Sequence, residues 1–341
     1  MNVHKMSIAE KVGQLFMVSF EGSKPAGEVI NLISTYKVGG LCYVTDNYRN
    51  PRQLHRLSTD LQHYANKDLP LLLSVNQGGG EFNSITRGVI QGPDQSTLGI
   101  INNRLYTKQM SEMIAEELHA LGINMNFSPS LYISKGRKDS FGDSIDLVAK
   151  HGVASIQGYQ KKNVSAVAKY FLENENRPID TLLTEAYDMS HSTLYPYFLA
   201  IQKNVDAILL SSSFENEGRS IIQSLLRETL DFEGVLMKEV SDEKTSNTIA
   251  ENAVKSIHSG VDLVLLSLPY RTQIAVIDKV IDAVKKGDIP ENRLNEAVER
   301  ILTLKEKRKV GLIKPFDRDV FEKKRAVQFI EKLQNLAGSR I

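Results

Sequence analysis

The residues able to do chemistry in this sequence are mostly carboxylates and amides that stand just after short apolar runs. In Pro70 to Phe82 an apolar segment ends in Asn76, Gln77 and three glycines. Comparable positions after the other apolar runs hold Glu21, Asp46, Asp139, Lys169, Glu173, Glu175, Asp180, Ser212, Lys238 and Glu239. Two carboxyl groups that share the roles of acid and nucleophile or base are the machinery of glycoside hydrolysis. The sequence therefore favours glycoside chemistry.

Other common catalytic groups are poorly placed. Most of the seven histidines fall inside predicted helices, His4 lies at the terminus, and His191 lies near a helix start. The single cysteine, Cys42, lies inside an apolar strand, and no Walker-type glycine loop is present. These positions give little support to a metal centre, a Ser-His-Asp triad or thiolate catalysis. We expect neither a metal nor a cofactor.

The amino-acid composition limits which partners and which cellular location are expected for the protein. The 341 residues include 42 basic and 41 acidic ones, so the sequence shows no basic footprint for nucleic acid or for a membrane surface. One cysteine excludes an intrachain disulfide. The N-terminus lacks an apolar signal region, and no apolar run is long enough to span a bilayer. We expect a cytoplasmic protein, unless a signal or lipoprotein segment precedes this sequence.

Short apolar strands that alternate with amphipathic helices must position these side chains. Eight strands are predicted, at residues 17–20, 41–44, 71–75, 124–127, 164–171, 206–210, 234–238 and 261–266. Each precedes a helical pattern, which is typical of a parallel sheet. Eight such units predict an α/β protein, a (β/α)8 TIM barrel over residues 1–313, with a C-terminal helical extension at 314–341. A doubly wound open sheet is the structural alternative.

Two features allow both a structural and a functional interpretation. The glycines at 78–80 either let the backbone approach a ligand or form a turn that needs positive φ. In the tail, Val320, Val327, Ile330 and Leu333 share one helical face, which we expect to pack on the barrel. A surface for a protein partner is the alternative for this helix.

Several motifs resemble glycoside hydrolase family 3, and most closely its bacterial β-N-acetylglucosaminidase branch. They are E-K-V-G-Q-L-F-M-V-S-F-E-G at 10–22, Y-K-V-G-G-L at 36–41, N-P-R-Q-L at 50–54, E-L-H-A-L-G-I-N-M-N-F-S-P at 117–129, S-F-G-D at 140–143, L-Y-P-Y-F at 194–198, V-D-A-I-L at 205–209 and L-L-R-E-T-L-D-F-E-G-V-L at 225–236. They follow in order over residues 8 to 313. The resemblance implies the family's barrel fold independently of the strand count.

The same resemblance exposes replacements in the sugar-binding motifs. After the third strand the family has D-Q-E-G-G-R, whereas this chain has N-Q-G-G-G-E from Asn76 to Glu81. Asn76 thus replaces a sugar-binding Asp and Glu81 replaces an Arg. Asp139 replaces the family's Arg before S-F-G, and Tyr132 replaces the Asp of A-P-x-L-D.

The catalytic motifs also depart from the family pattern. Lys169 is retained, but Tyr170 replaces the adjoining His, and Leu182 aligns with the His of the acid/base pair. Asp180 aligns loosely with the Asp of that pair. Ser212 stands for the His after the sixth strand, and Glu239 for the Asp nucleophile.

Two functions remain open on this basis. The replacements predict a pseudoenzyme that binds carbohydrate or protein, with an amino sugar or a muropeptide as the ligand and bacterial cell wall recycling as the setting. Its ligand-binding residues would be Asn76, Gln77, Lys169, Tyr170, Tyr132, Asp139 and Ser212. The alternative is an active retaining β-N-acetylglucosaminidase with Glu239 as nucleophile and Glu173, Glu175 or Asp180 as acid. An inert barrel that serves as a subunit of a complex is a third, purely structural interpretation.

Overall fold

The computed structural model describes residues 3–173, 179–186, 188–211, 221–240, 246–321 and 324–339. Ser212 and Glu175, two of the candidate site residues, lie outside these ranges. No helix among the described residues is long and apolar enough to cross a membrane.

Eight parallel strands close into a barrel in which β1 pairs with both β2 and β8. The strands are β1 Phe16–Ser19, β2 Gly40–Cys42, β3 Leu72–Val75, β4 Met125–Asn126, β5 Ser165–Phe171, β6 Ala207–Leu210, β7 Val235–Val240 and β8 Leu263–Leu266. This confirms the predicted (β/α)8 barrel and excludes the open doubly wound sheet. The strand ends differ from the predicted ones by a few residues, as expected where hydrogen bonding frays.

The helices surround the barrel, and polar side chains cap the N-termini of several of them. They are α1 Ile8–Gln14, α2 Gly27–Ser34, α3 Pro51–Tyr64, α4 Gln95–Ile101, α5 Arg104–Ala120, α6 Ile145–Lys161, α7 Ile179–Glu185, α8 Tyr195–Gln202, a π-helix α9 Ile221–Thr229, α10 Ser246–Ser259, α11 Tyr270–Lys286, α12 Glu291–Lys307 and α13 Lys324–Gly338. Ser7 and Glu10 form a reciprocal capping box at α1. Asn50 caps α3, whose first residue is Pro51.

Two helices occupy segments for which the sequence pattern predicts loops, one from the glycines after the third strand to about residue 103 and one at about 173–184. Helix α4 lies in the stretch expected to be a long glycine-containing loop, and the Asp94 side chain caps it by accepting from the Thr97 amide at 2.8 Å. Helix α7 lies in the segment predicted as a polar loop after β5. Each has only seven residues, too few for a helical period to stand out.

The tail forms helix α13, but its packing face differs from the predicted one. The buried residues are Ala326, Phe329, Leu333 and Ala337, which lie three or four positions apart on one side of the helix. Of the predicted stripe only Leu333 is buried, and Val327 is 58% exposed. The prediction that Val327 packs on the barrel is therefore wrong. Leu333 from the predicted stripe packs together with Ala326, Phe329 and Ala337, and Ile330 is partly buried against the same core.

Candidate functional site

The carboxyl ends of the strands form the mouth of the barrel, where such folds place their active sites. The structure brings Asn76 after β3, Lys169 and Tyr170 on β5, and Glu239 on β7 to this end. The segment after β4 adds Tyr132 and Asp139, and Glu173 follows β5. Most of the residues predicted from the sequence thus lie at one end of the molecule.

Lys169 is the central cation of the mouth. Its Nζ lies 3.0 Å from Oδ1 of Asn76 and 5.4 Å from the centre of the Tyr170 ring. The residue is only 8% exposed, and burial lowers its pKa to about 8. The negative charges of Asp139, Glu173 and Glu239 oppose this shift, so all three act on the amine. Asn76 contributes no charge, because it is an amide.

A second cation, Arg137, ties together the carboxylates of the neighbouring loops. Its Nε and Nη2 donate to Asp139 at 3.1 and 3.0 Å, and its Nη1 donates to Glu173 at 3.1 Å. Burial alone would raise the pKa of Asp139, but the hydrogen bonds and positive charge of Arg137, together with the effect of Tyr132, outweigh it and the pKa is lowered. The guanidinium lies 4.2 Å from the centre of the Tyr132 ring.

The sequence prediction missed Arg137. The family's Arg is expected at position 139, where this chain has Asp139, and Arg137 stands two residues earlier. The R-K-D sequence at 137–139 was the available signal, since an arginine two residues from the expected position can still reach the mouth.

Tyr132 is half-buried beneath this pair. Burial and then the nearby Asp139 raise its pKa. Its hydroxyl is buried beside the carboxylate without reaching a hydrogen-bond geometry, and Oε2 of Glu173 is buried and unpartnered in the same way. These two oxygens are polar groups for which a bound ligand could supply the missing hydrogen bonds.

The negative charge of Glu239 acts on several side chains of the mouth. The pKa values of Cys42 and Tyr170 are raised first by burial and then by the negative charge of Glu239. The charge of the Glu239 carboxylate on β7 therefore acts on side chains of both β2 and β5.

Two glycines of the loop after β3 are required by the conformation and close packing of the backbone. Gly79 and Gly80 have φ of 95° and 61°, and a Cβ on Gly79 would lie 2.1 Å from the carbonyl oxygen of Pro93. The Gly80 amide donates to the Gly92 carbonyl at 2.9 Å. The structural interpretation of these two glycines therefore holds. Gly78 differs, because a Cβ there would meet only Ser128 Oγ at 3.7 Å, an ordinary contact.

Gln77 does not fit its predicted role as a ligand contact. The residue is 1% exposed, and its side-chain amide both donates to and accepts from the backbone of Ile85 at 3.1 Å. Its backbone is held by the Asn126 side chain, which accepts from the Gln77 amide at 2.8 Å. Gln77 and Asn126 thus fix the loop and leave Asn76 in the mouth.

Two other positions mark the edges of the site. Glu81 forms a 3.3 Å ion pair with Lys138, and both side chains are largely exposed. Asp180 is exposed in the first turn of α7, while Leu182, in the same helix, is completely buried. Within the described ranges, no group of three histidine, cysteine or acidic side chains could hold a metal ion.

The profile of the glycosyl hydrolase family 3 N-terminal domain matches residues 7–304. The chain belongs to glycosyl hydrolase family 3. Beta-hexosaminidase A of Pseudoalteromonas piscicida is 22% identical over 89% of this chain, and the chain spans about three fifths of that relative (61%). The beta-hexosaminidase of Haemophilus influenzae is 24% identical, with 77% of this chain and 82% of the relative covered.

Solved structures of the same family share the fold. The β-N-acetylglucosaminidase of Paenibacillus sp. aligns with a TM-score of 0.86 and 29% identity over 97% of this chain and 69% of that chain. NagZ from Neisseria gonorrhoeae, solved in complex with N-trifluoroacetyl-D-glucosamine, aligns with a TM-score of 0.74 and 20% identity. The alignment covers 95% of this chain and 98% of NagZ. At 20% identity, the match to NagZ shows only that the fold is shared.

Because the chain belongs to family 3, its mouth residues can be compared with the residues of the family motifs. The sequence resemblance sets Asn76 against a sugar-binding Asp, and Asp139 and Glu81 against arginines. In this family 3 chain, Arg137 and Lys138 pair with those two acidic residues. Arg137 and Lys138 are therefore engaged by carboxylates of the chain itself, whereas Lys169 bonds to the neutral amide of Asn76.

Proposed function

We propose that this family 3 barrel of the β-N-acetylhexosaminidase type has lost hydrolysis and acts as a carbohydrate-binding pseudoenzyme. The observation that carries the proposal is Leu182. The position that aligns with the family's acid/base histidine holds an alkyl side chain that is completely buried. A leucine cannot donate a proton, and loss of general acid catalysis costs roughly 10²–10⁴-fold in rate.

The nucleophile position supports the same conclusion. Glu239 reaches one methylene further than the aspartate it replaces, about 1.5 Å of bond length. A misplacement of about 1 Å can reduce a rate by ~10²-fold. Retaining hydrolysis needs an attacking carboxylate and a proton donor together, so the two changes compound.

Binding of an amino sugar fits the polar groups that remain. Lys169 and Asn76 present a donor and an amide at the mouth, and Tyr170 and Tyr132 present aromatic surface. The relatives are named as beta-hexosaminidases, and NagZ was solved with an N-acylated glucosamine analogue. N-acetylglucosamine or a muropeptide fragment is therefore the proposed ligand, and bacterial cell wall recycling in the cytoplasm the proposed setting.

One observation favours a second candidate, an active retaining hydrolase. The negative charges of Glu239 and Glu173 both act on the same amine, that of Lys169. Two carboxyl groups about 5–5.5 Å apart could perform double displacement. Against this candidate, Oε1 of Glu173 already accepts a hydrogen bond from Arg137 at 3.1 Å, so the chain itself engages this carboxylate.

The deciding experiment is turnover of an aryl β-N-acetylglucosaminide by the purified protein. A good leaving group reduces the need for an acid, so the assay tests the nucleophile alone. We expect no turnover above the rate of a Glu239→Gln variant. Turnover that disappears in Glu239→Gln would overturn the pseudoenzyme proposal and establish the hydrolase.

Binding is measured separately by calorimetry with N-acetylglucosamine and a muropeptide fragment. Saturable binding that Lys169→Met weakens, and that a change of Lys138 to Met leaves intact, is the expected result. Absence of both turnover and binding would contradict carbohydrate binding and favour an inert barrel that serves as a subunit of a complex.

A further inference from the structure

At the end of the barrel opposite the mouth, three arginines from two helices converge on one buried carboxylate. Asp262 directly precedes β8 and its side chain is fully buried. Its Oδ1 accepts from Arg293 at 2.6 Å and from Arg300 at 3.1 Å, and its Oδ2 accepts from Arg227 at 2.7 Å. Oδ2 also accepts from the Leu236 amide at 2.9 Å, so every lone pair of this carboxylate is in use.

The cluster carries more positive than negative charge. Besides Asp262, the only carboxylate bonded to these arginines in the described part of the chain is Glu296, 3.0 Å from Arg293 and half-exposed. Three guanidinium groups therefore face two carboxylates. Arg227 and Arg293 are almost fully buried, and burying unbalanced charge is unfavourable. Burial lowers the pKa of Arg227 to about 10, and repulsion from Arg300 and Arg293 adds to this.

A cavity of about 200 Å³ opens onto this cluster. Its walls carry three guanidinium groups, one imidazole, several neutral polar groups and one carboxylate: Arg227, Arg293, Arg300, His258, Gln223, Ser259, Asn292 and Glu296. Gly260, with φ of 119°, closes one wall, where a Cβ would lie 2.7 Å from Ile222. The cavity therefore combines net positive charge with neutral donors.

Arg300 is the arginine best able to bind something further. It uses Nη1 for Asp262, and its side chain is 28% exposed. Arg293 and Arg227, by contrast, spend most of their donors on the Ile257, Val261, Phe232 and Gly234 carbonyls and on carboxylates. The planar fork of a guanidinium matches two oxygens of a phosphate or sulfate group.

We infer that this cavity binds a small oxyanion, phosphate or the phosphate group of a monoester, through Arg300 and the neighbouring arginines. The anion would neutralise the third guanidinium, which no carboxylate of the cluster balances. The wider cleft of about 800 Å³ on the other side of Arg227 and Arg300 is a poor place for an anion, because Asp231, Glu233 and Glu299 line it. The inference does not depend on the function of the mouth.

The test is a titration of the purified protein with sodium phosphate at constant ionic strength, followed by thermal unfolding and calorimetry. Constant ionic strength separates a site from general screening. An anion that binds only the folded state raises the unfolding temperature in a saturable way. We expect Arg300→Gln to weaken the affinity for phosphate at least about tenfold, since a charge-assisted hydrogen bond is lost.

Two further variants keep the result interpretable. Glu296→Gln removes the one carboxylate in the cavity wall and should strengthen phosphate binding, an effect that a merely destabilised protein would not show. Arg56 is an exposed arginine on α3, and the Arg56→Gln variant should bind phosphate as the wild type does. Glycerol phosphate is titrated in parallel, and tighter binding than inorganic phosphate would identify the ligand as a monoester rather than the free ion.

Equal phosphate affinity in wild type, Arg300→Gln and Glu296→Gln would overturn the inference. Absence of any saturable effect in the wild type would overturn it as well.

Discussion

At the scale of single residues, Asn76 is the replacement that most changes the electrostatics of the mouth. An aspartate at this position would place a negative charge about 3.0 Å from the amine of Lys169. The asparagine keeps the hydrogen bond and removes that charge. The pKa of Lys169 can then fall to about 8 under the influence of burial, in spite of three carboxylates nearby.

We therefore predict that Asn76→Asp raises the pKa of Lys169 towards the ordinary lysine value of 10.5. An opposite charge in direct contact favours the protonated amine and so raises its pKa. The pKa is measured from the pH dependence of Lys169 acylation, read by mass spectrometry of the labelled peptide. Asn66→Asp, at an exposed asparagine between α3 and β3, is the matched control. An unchanged Lys169 profile in Asn76→Asp would contradict this account.

The residue scale also shows where sequence reasoning stops. The motifs predicted that Asn76, Lys169, Tyr132 and Asp139 share one end of the barrel, because strand order and family register determine that. They did not predict that Arg137 donates hydrogen bonds to Asp139. This pairing depends on the path of a loop whose sequence has no hydrophobic periodicity. They also did not distinguish Gln77, whose amide bonds to the backbone of its own loop, from its neighbour in the mouth.

At the scale of elements, the C-terminal helix shows how composition misleads a periodicity argument. Val327 and Ile330 are more hydrophobic than Ala326 and Ala337, so they dominated the predicted stripe. The most buried residues of the helix are Ala326, Phe329, Leu333 and Ala337, while Ile330 is only partly buried and Val327 is exposed. The ring of Phe329 lies edge-on to Tyr106 of α5 at 5.6 Å. Small side chains allow α13 to lie close to α4, which it contacts.

We predict that Phe329→Ala lowers the free energy of unfolding of α13 by about 3 kcal/mol, because a buried aromatic ring is lost. Val327→Ala should change it by less than about 0.5 kcal/mol, since the residue is mainly exposed. Amide hydrogen exchange across residues 324–339 measures both. Equal effects of the two substitutions would show that the observed packing face is wrong.

At the scale of the whole molecule, the barrel was predictable because its signal is repeated eight times. A wrong boundary on one strand does not change the closed order β1 to β8. The short helices α4 and α7 were not predictable in the same way, since neither repeats nor carries a full amphipathic face. The two ends of the barrel also differ in character. The mouth pairs cations with carboxylates across loops, whereas the opposite end buries its charges between helices and strands.

The last prediction concerns a buried lysine away from the mouth and its effect on the stability of the whole fold. Lys305 on α12 is 3% exposed, and its Nζ donates to Oε1 of Gln14 at 2.6 Å. Burial lowers its pKa from 10.5 to about 7. Between these two values the unfolded chain binds more protons at this lysine than the folded protein does. The free energy of unfolding therefore rises with pH from about 7 towards 10.5, by at most about 1.4 kcal/mol per pH unit.

Lys305→Met should remove this contribution, because methionine fills a similar volume and does not titrate. Urea unfolding at a series of pH values from neutral to mildly alkaline gives the comparison, and the difference between wild type and variant cancels the other titrating groups. The stability advantage of the variant should be largest at neutral pH and should shrink as the pH rises. Lys285→Met, at an exposed lysine on α11, should follow the wild-type curve. A constant difference between wild type and Lys305→Met across this range would mean that the buried amine keeps an ordinary pKa.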